Sequence, residues 1–295
     1  MNDPVDSKLA SLRRRAWLAR KGHSGAGNLS FQREVRAALR QLTDQTRAVA
    51  GRVEALGKPD KPTPKAPEFP ADFEPEVRET IKLVRPYTRT SNEKLQVLIK
   101  AVEYLERSHI PGAYVECGVW RGGSMHAVAR TLHRLGVDDR ELYLFDTYEG
   151  MTEPTERDVK IGGKTAAEML ASAEKTGDGV WAIASLPEVQ AGVKRLPYPF
   201  ERFHFAVGMV EDTVPDQAPD QIAMLRLDTD WYESTRHELQ QLYPRLAPGG
   251  VLIVDDYGWF KGSREATDEY LATLALPQHL IRAGSGAIGI KPGLH

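Results

Sequence analysis

Two apolar runs in the second half of the chain end abruptly in carboxylates. Ile222–Leu227 runs into Asp228-Thr229-Asp230, and Val251-Leu252-Ile253-Val254 runs into Asp255-Asp256. Between them a helical pattern covers roughly Tyr232–Leu246 and stops at Pro248-Gly249-Gly250. Strand, helix and strand of these lengths read as adjacent parallel strands, buried on both faces. Their carboxyl ends then bring three or four acids to one edge of an open α/β sheet, the edge at which such sheets bind ligands. Without a cation these acids repel one another. An all-oxygen set with no nearby cysteine suits a hard ion such as Mg²⁺, Ca²⁺ or Mn²⁺ rather than zinc. Asp228, Asp255 and Asp256 are the expected metal ligands. Asp230 carries two readings that can coexist, a direct catalytic part and the N-cap of the following helix in Asp230-Trp231-Tyr232-Glu233.

A second strand-end feature lies upstream. Ala113–Val115 leads into Glu116-Cys117-Gly118-Val119-Trp120-Arg121-Gly122-Gly123-Ser124, after which Met125–Leu135 has helical character. Strand, glycine turn and helix N-terminus make a nucleotide-type pocket. The spacing is not G-x-G-x-x-G, and Glu116 sits where a pyrophosphate would be repelled. A cationic amino-acid moiety, such as the ammonium and sulfonium of S-adenosylmethionine, is the better match. Glu141–Phe145 forms the next strand and ends at Asp146, placed either to accept ribose hydroxyls or to cap a turn. A nicotinamide-dependent oxidoreductase and a non-catalytic assembly domain are the rival classes. The first leaves the aspartate cluster unexplained.

The net charge of −2 conceals a division: residues 1–60 carry +6 and the remainder −8. Neither the overall charge nor the 41% hydrophobic content suggests a nucleic-acid binder or a disordered chain. One cysteine and no long apolar run lead to the expectation of a cytoplasmic protein without a membrane span. Three segments are expected. Residues 1–57 form a basic helical extension, in which Val35, Leu39, Leu42, Thr46, Val49, Val53 and Leu56 follow a heptad period. That makes residues 35–56 a candidate for self-association into a homo-oligomer. Residues 58–75 are a proline-rich linker. Residues 76–295 make one α/β domain, with a lid or insert at about 150–199 and a terminal hairpin from Leu280–Arg282 to Ala287–Ile290.

Taken in order, E-C-G-V-W-R-G-G-S, D-T-Y-E-G-M-T-E-P-T, V-G-M-V-E-D-T, L-R-L-D-T-D-W-Y-E-S-T, L-Y-P-R-L-A-P-G-G and V-D-D-Y resemble the macrocin O-methyltransferase family over roughly Tyr87 to Pro292. The resemblance implies a Rossmann-like class I methyltransferase fold: a mostly parallel seven-stranded sheet with helices on both faces. It also implies S-adenosylmethionine as donor, Mg²⁺ at the acceptor site, and an acceptor hydroxyl on a sugar of a natural product or glycan. A phenol or catechol is the alternative acceptor. Carried over by position, Asp228, Asp255 and Asp256 match metal ligands, and Asp230 matches a base. Glu116, Gly118, Gly122 and Ser124 fall in the methionine-binding turn, Asp146 at the ribose, and Gly208 and Met209 beside the adenine. Thr88 and Ser91 match the N-terminal cofactor-contacting stretch, where Lys94 replaces a commoner Arg. Glu149–Val159 contains no histidine to match the lid base of some members.

Overall fold

The structure, a computed structural model, describes residues 69–293 and, before them, Ala37, Arg40, Thr43 and Asp44. The chain divides into two compact units, Met1–Pro67 and Glu68–His295. In the first unit those four described residues are helical and exposed. The rest of the heptad segment, Arg13–Arg15 and residues 58–68 of the proline-rich stretch lie outside the described residues.

In the second unit, Phe69 and Phe73 are already part of the core, so the compact fold takes up the end of the proline-rich stretch. Helix α1 (Pro75–Val84) follows, with proline in its first turn, where its missing N–H costs nothing. Its Val77, Ile81 and Val84 are buried. Helix α2 (Asn92–Arg107) is capped by Ser91, whose Oγ accepts from Lys94 N at 3.3 Å. Then come β1 (Ala113–Cys117), α3 (Gly123–Arg134) and β2 (Leu142–Asp146). A long excursion holds α4 (Ala166–Ala171) and α5 (Leu186–Val193) before β3 (Phe203–Val207) and the single turn α6 (Val210–Thr213). The acid-bearing unit is β4 (Ile222–Leu227), α7 (Tyr232–Leu242) and β5 (Leu246–Val254). Helix α8 (Lys261–Leu271) and the hairpin β6 (Ile281–Ala283) and β7 (Gly286–Ile290) finish the fold.

The seven strands lie in the order β3-β2-β1-β4-β5-β7-β6. Strands β1 to β5 pair in parallel, and β7 is antiparallel to both β5 and β6. Apolar clusters pack on both faces of the sheet, as buried parallel strands require. The order reverses direction beside β1, so the ends of β1 and β4 flank the crevice in which open sheets bind ligands.

The sequence and the structure part at several boundaries. Strand β5 starts at Leu246 and runs through Pro248-Gly249-Gly250 instead of beginning after it. It tolerates this because pairing with β4 slips: Ile222 pairs with Leu246 but Met224 with Val251, and the extra residues of β5 form an irregularity between them. Helix α7 stops at Leu242 and tightens into a 3₁₀ turn at Tyr243–Arg245, as Pro244 demands. Strand β3 is an edge strand whose pattern, Phe-His-Phe-Ala-Val, carries no strong signal of its own.

Among the described residues, the ring nitrogen Nε2 of His126 on α3 is buried without a hydrogen-bond partner, and its ring lies 4.4 Å from that of Tyr87. Burial, and then the nearby Arg130, push this imidazole down to about 4. A neutral buried histidine stabilises the fold above the unfolded value of about 6.5, and that contribution is lost as pH falls from there toward 4. We expect denaturant unfolding to show a stability drop of about 2 kcal/mol between pH 7.5 and 5 that His126→Leu removes. Equal drops in both proteins would refute the assignment.

Candidate active site

The carboxyl ends of β1, β2, β4 and β5 open onto one cavity of about 480 Å³. Gly118, at the end of β1, makes this convergence possible. Its φ of +81° is left-handed, and a Cβ there would stand 2.2 Å from the Asp228 carbonyl oxygen. Only glycine lets β1 and β4 come that close at their tips. Gly123 serves the same purpose on the other side, since a Cβ would meet the Thr88 side chain at 2.4 Å.

Thr88, Ser91, Gly118, Ser124, Asp146, Gly208, Met209, Asp228, Asp230, Asp255 and Asp256 all line this cavity. Gly122 and Glu116 do not. Gly122 is the left-handed N-cap of α3, one residue behind the lining. Glu116 is buried beneath it and bonded to a residue that strand patterning passed over, Arg226.

Arg226 lies inside β4, in register with Glu116 on β1 and Ile253 on β5. Its guanidinium binds Glu116 Oε1 at 2.5 Å, Asp228 Oδ2 at 2.7 Å and Asp255 Oδ1 at 2.6 Å. Lys94 of α2 pairs with the other Asp255 oxygen and donates to Ser285 Oγ at 3.1 Å. The cluster therefore carries cations of its own. They do not balance it: Glu116, Asp228, Asp230, Asp255 and Asp256 outnumber Arg226 and Lys94. Burial pushes Glu116 up to about 7 despite Arg226. Burial also raises Asp228 and Asp256 well above the usual carboxylate range, in Asp256 helped by its neighbour Asp230. Asp255 alone is held low, because Arg226 and Lys94 outweigh its burial.

Oxygens of Asp228, Asp255 and Asp256 lie within 4.8 Å of one another, the spacing of a cation site. Asp230 is not the helix cap. Trp231 holds the N-cap position, and Asp230 adopts a left-handed backbone with φ of +69°. Instead, Asp158 from the excursion accepts from Tyr232 N at 2.7 Å and from Thr155 N at 2.7 Å. With that duty removed, the Asp230 carboxyl hydrogen-bonds Asp256, and burial pushes it up to about 7.

Asp146 also acts on the turn. Its Oδ2 accepts from Val119 N at 2.6 Å and Trp120 N at 3.0 Å, and its Oδ1 from Tyr148 N at 2.7 Å. These bonds fix the shape of the first turn from the neighbouring strand.

Of the excursion, Gly150, Met151, Thr152 and Ala182 reach the cavity. Around α4, Ala166 and Leu170 meet Trp231 and Phe260 in a small separate core, whereas Ala184, Val189, Val193, Leu196 and Tyr198 join the main core. At the rim, Trp120 donates to Gly177 O at 3.0 Å, and the Arg89 guanidinium covers its ring at 4.2 Å. Among the described residues no helix is long and apolar enough to cross a membrane.

Comparison with known proteins agrees with this architecture. The Macrocin-O-methyltransferase (TylF) family profile matches residues 64–288. The chain belongs to the macrocin O-methyltransferase family. It is similar to the 8-demethyl-8-(2,3-dimethoxy-alpha-L-rhamnosyl)-tetracenomycin-C 4'-O-methyltransferase of Streptomyces olivaceus, 34% identical over 62% of this chain and 67% of that one. It resembles the demethyldecarbamoylnovobiocin O-methyltransferase of Streptomyces niveus at 32% identity over 66% and 71% of the two chains. Among solved structures, the O-methyltransferase NovP superposes with a TM-score of 0.60 at 28% identity, covering 70% of this chain and 83% of that one. This macrocin-family member is an S-adenosylmethionine-dependent O-methyltransferase with the class I fold. That membership sets aside the nicotinamide and assembly alternatives.

Proposed function

We propose that this methyltransferase acts on a hydroxyl of a sugar carried by a small natural product, with Mg²⁺ held by Asp228, Asp255 and Asp256. The approach of these three carboxylates at the sheet edge is the observation that carries the reading. The donor set fits a hard divalent ion: every candidate ligand is oxygen, and acids outnumber the built-in cations. The rhamnosyl group in the name of the Streptomyces olivaceus relative supports a sugar acceptor.

When bound, Mg²⁺ lowers the pKa of a coordinated hydroxyl, and S-adenosylmethionine supplies a methyl group on a cationic sulfur. The chain's own residues do the rest. Gly118, Ser124 and the Asp146-fixed turn form the donor side of the cavity, with Gly208 and Met209 proposed at the adenine. Thr88 and Ser91 close that side from the start of α2. Glu116 acts from below, through the turn it supports. Asp230 is the proposed base: it lines the cavity, and its proton affinity lies near neutrality, where proton acceptance and release are both accessible. Phe260, Met151 and Trp259 bound the acceptor side and exclude water from the aligned displacement. The excursion at 150–199 is the proposed determinant of acceptor choice.

The test is a panel of deoxyhexosyl glycosides, their aglycones and catechols, scored by mass spectrometry for product methylation with Mg²⁺ present. We expect at least one glycoside to be methylated and its aglycone to give no product, since the aglycone lacks the acceptor hydroxyl. Preferential methylation of the catechols would overturn the sugar assignment.

A further inference from the structure

Among the described residues, Arg226 is the largest fully buried side chain. Its neighbours along β4 are apolar, and a guanidinium in a sheet interior is costly unless every donor is matched. Here the four terminal N–H groups meet four acceptors. One nitrogen, Nη1, serves Glu116 Oε1 and Asp228 Oδ2, and Nη2 serves Asp255 Oδ1 and, at 3.3 Å, Thr90 Oγ1. These acceptors come from β1, the tip of β4, the tip of β5 and the segment before α2. A planar fork imposes fixed angles between its bonds, which a lysine ammonium cannot do.

We infer that Arg226 is the positioning residue of the cation site: its guanidinium sets the Asp228 and Asp255 carboxylates at ligating separation and ties them to Glu116 beneath the first turn. The inference rests on the cation reading above and deepens it. Asp228 keeps its second oxygen outside the fork. Asp255 is held from its far side by Lys94, itself fixed by Ser285 Oγ and by the Asp255 carbonyl oxygen at 3.3 Å. The two aspartates are thus assembled without an ion. Arg226 does not line the cavity, so it acts through the ligands and touches no substrate.

The experiment titrates Mn²⁺ into full-length protein, followed by calorimetry and by the Mn²⁺ spin-resonance signal, with thermal melts and S-adenosylhomocysteine affinity measured alongside. Arg226→Lys keeps the charge and removes the fork. The double variant Arg226→Met with Glu116→Gln removes one buried charge of each sign, as a second route to a folded protein. We expect Mn²⁺ affinity to fall about 10- to 100-fold in each folded variant, the loss typical of groups that orient metal ligands. Wild-type affinity in a folded Arg226→Lys protein would overturn the inference while leaving the cation reading standing. Wild-type protein that binds S-adenosylhomocysteine and no Mn²⁺ would remove the cation reading and this inference together. Loss of the cooperative melt in both variants would assign Arg226 to stability alone and overturn it as well.

Discussion

Asp228→Asn is expected to lower kcat/KM by about 1000-fold, the scale reached when a preorganised electrostatic group at the reacting centre is lost. The change is nearly isosteric, so packing at the tip of β4 is kept. What is lost is a carboxyl group that stands at the meeting point of three groups, Arg226, Asp255 and Asp256. The new amide turns either an oxygen or an NH₂ toward Arg226. In the first case the NH₂ faces the cation site, and in the second two donors confront each other. Neither arrangement restores a charged ligand. Donor-side contacts are untouched, so calorimetry is expected to give S-adenosylhomocysteine affinity within about threefold of wild type, less than 1 kcal/mol. Chelation of the wild-type enzyme should reproduce the loss, and added Mg²⁺ should reverse it. Full activity of Asp228→Asn, or of the chelated wild type, would remove the metal from the mechanism.

A change of one methyl group at Gly118 is expected to rival this in size, through the fold. In Gly118→Ala the new Cβ meets the Asp228 carbonyl oxygen at 2.2 Å and its carbon at 2.5 Å, and both belong to backbone. No rotamer relieves such a contact. Left-handed strain and overpacking together cost about 3 kcal/mol or more. The melting temperature should fall by about 10 °C for a domain of this size. Relief would come from parting β1 and β4, which displaces Asp228 and carries the loss into catalysis. Gly163→Ala is the matched control: φ there is +95°, and nothing stands within 4 Å of the added atom. It should cost only about 1 kcal/mol, the backbone penalty alone. Similar melting temperatures for the two variants would show that the strand tips are not closely held.

Much of this molecule is legible in the chain itself. Strand β4 shows because six apolar-rich positions run straight into acids, and the first turn shows because its glycines sit between a strand and a helix. Pro75 reads as part of the linker yet opens α1, because a helix's first turn accepts a proline, and Ser91, read only as a cofactor contact, also caps α2. Strand β3 was not legible, because a partly buried edge strand without regular alternation needs its neighbour β2 to define it. Asp230 illustrates the opposite error. Its spacing to Glu233 fits a capping box, yet Asp158, far away in sequence, supplies the bond to Tyr232 N.

The charge pattern divides the same way. Periodicity and strand ends placed Asp228, Asp255 and Asp256 on one edge, since each strand's direction follows from the helix between them. The identity of their partners could not follow from that. Glu116 meets Arg226 across 110 residues and Lys94 meets Asp255 across 161. An arginine within an apolar strand reads locally as a solvated interruption. By itself the sequence determined which carboxylates reach the sheet edge, because that depends on short-range hydrophobic patterning. Only the tertiary structure decided which cations meet them, because ion pairing depends on separation in space, and strand order brings together groups that the chain keeps far apart.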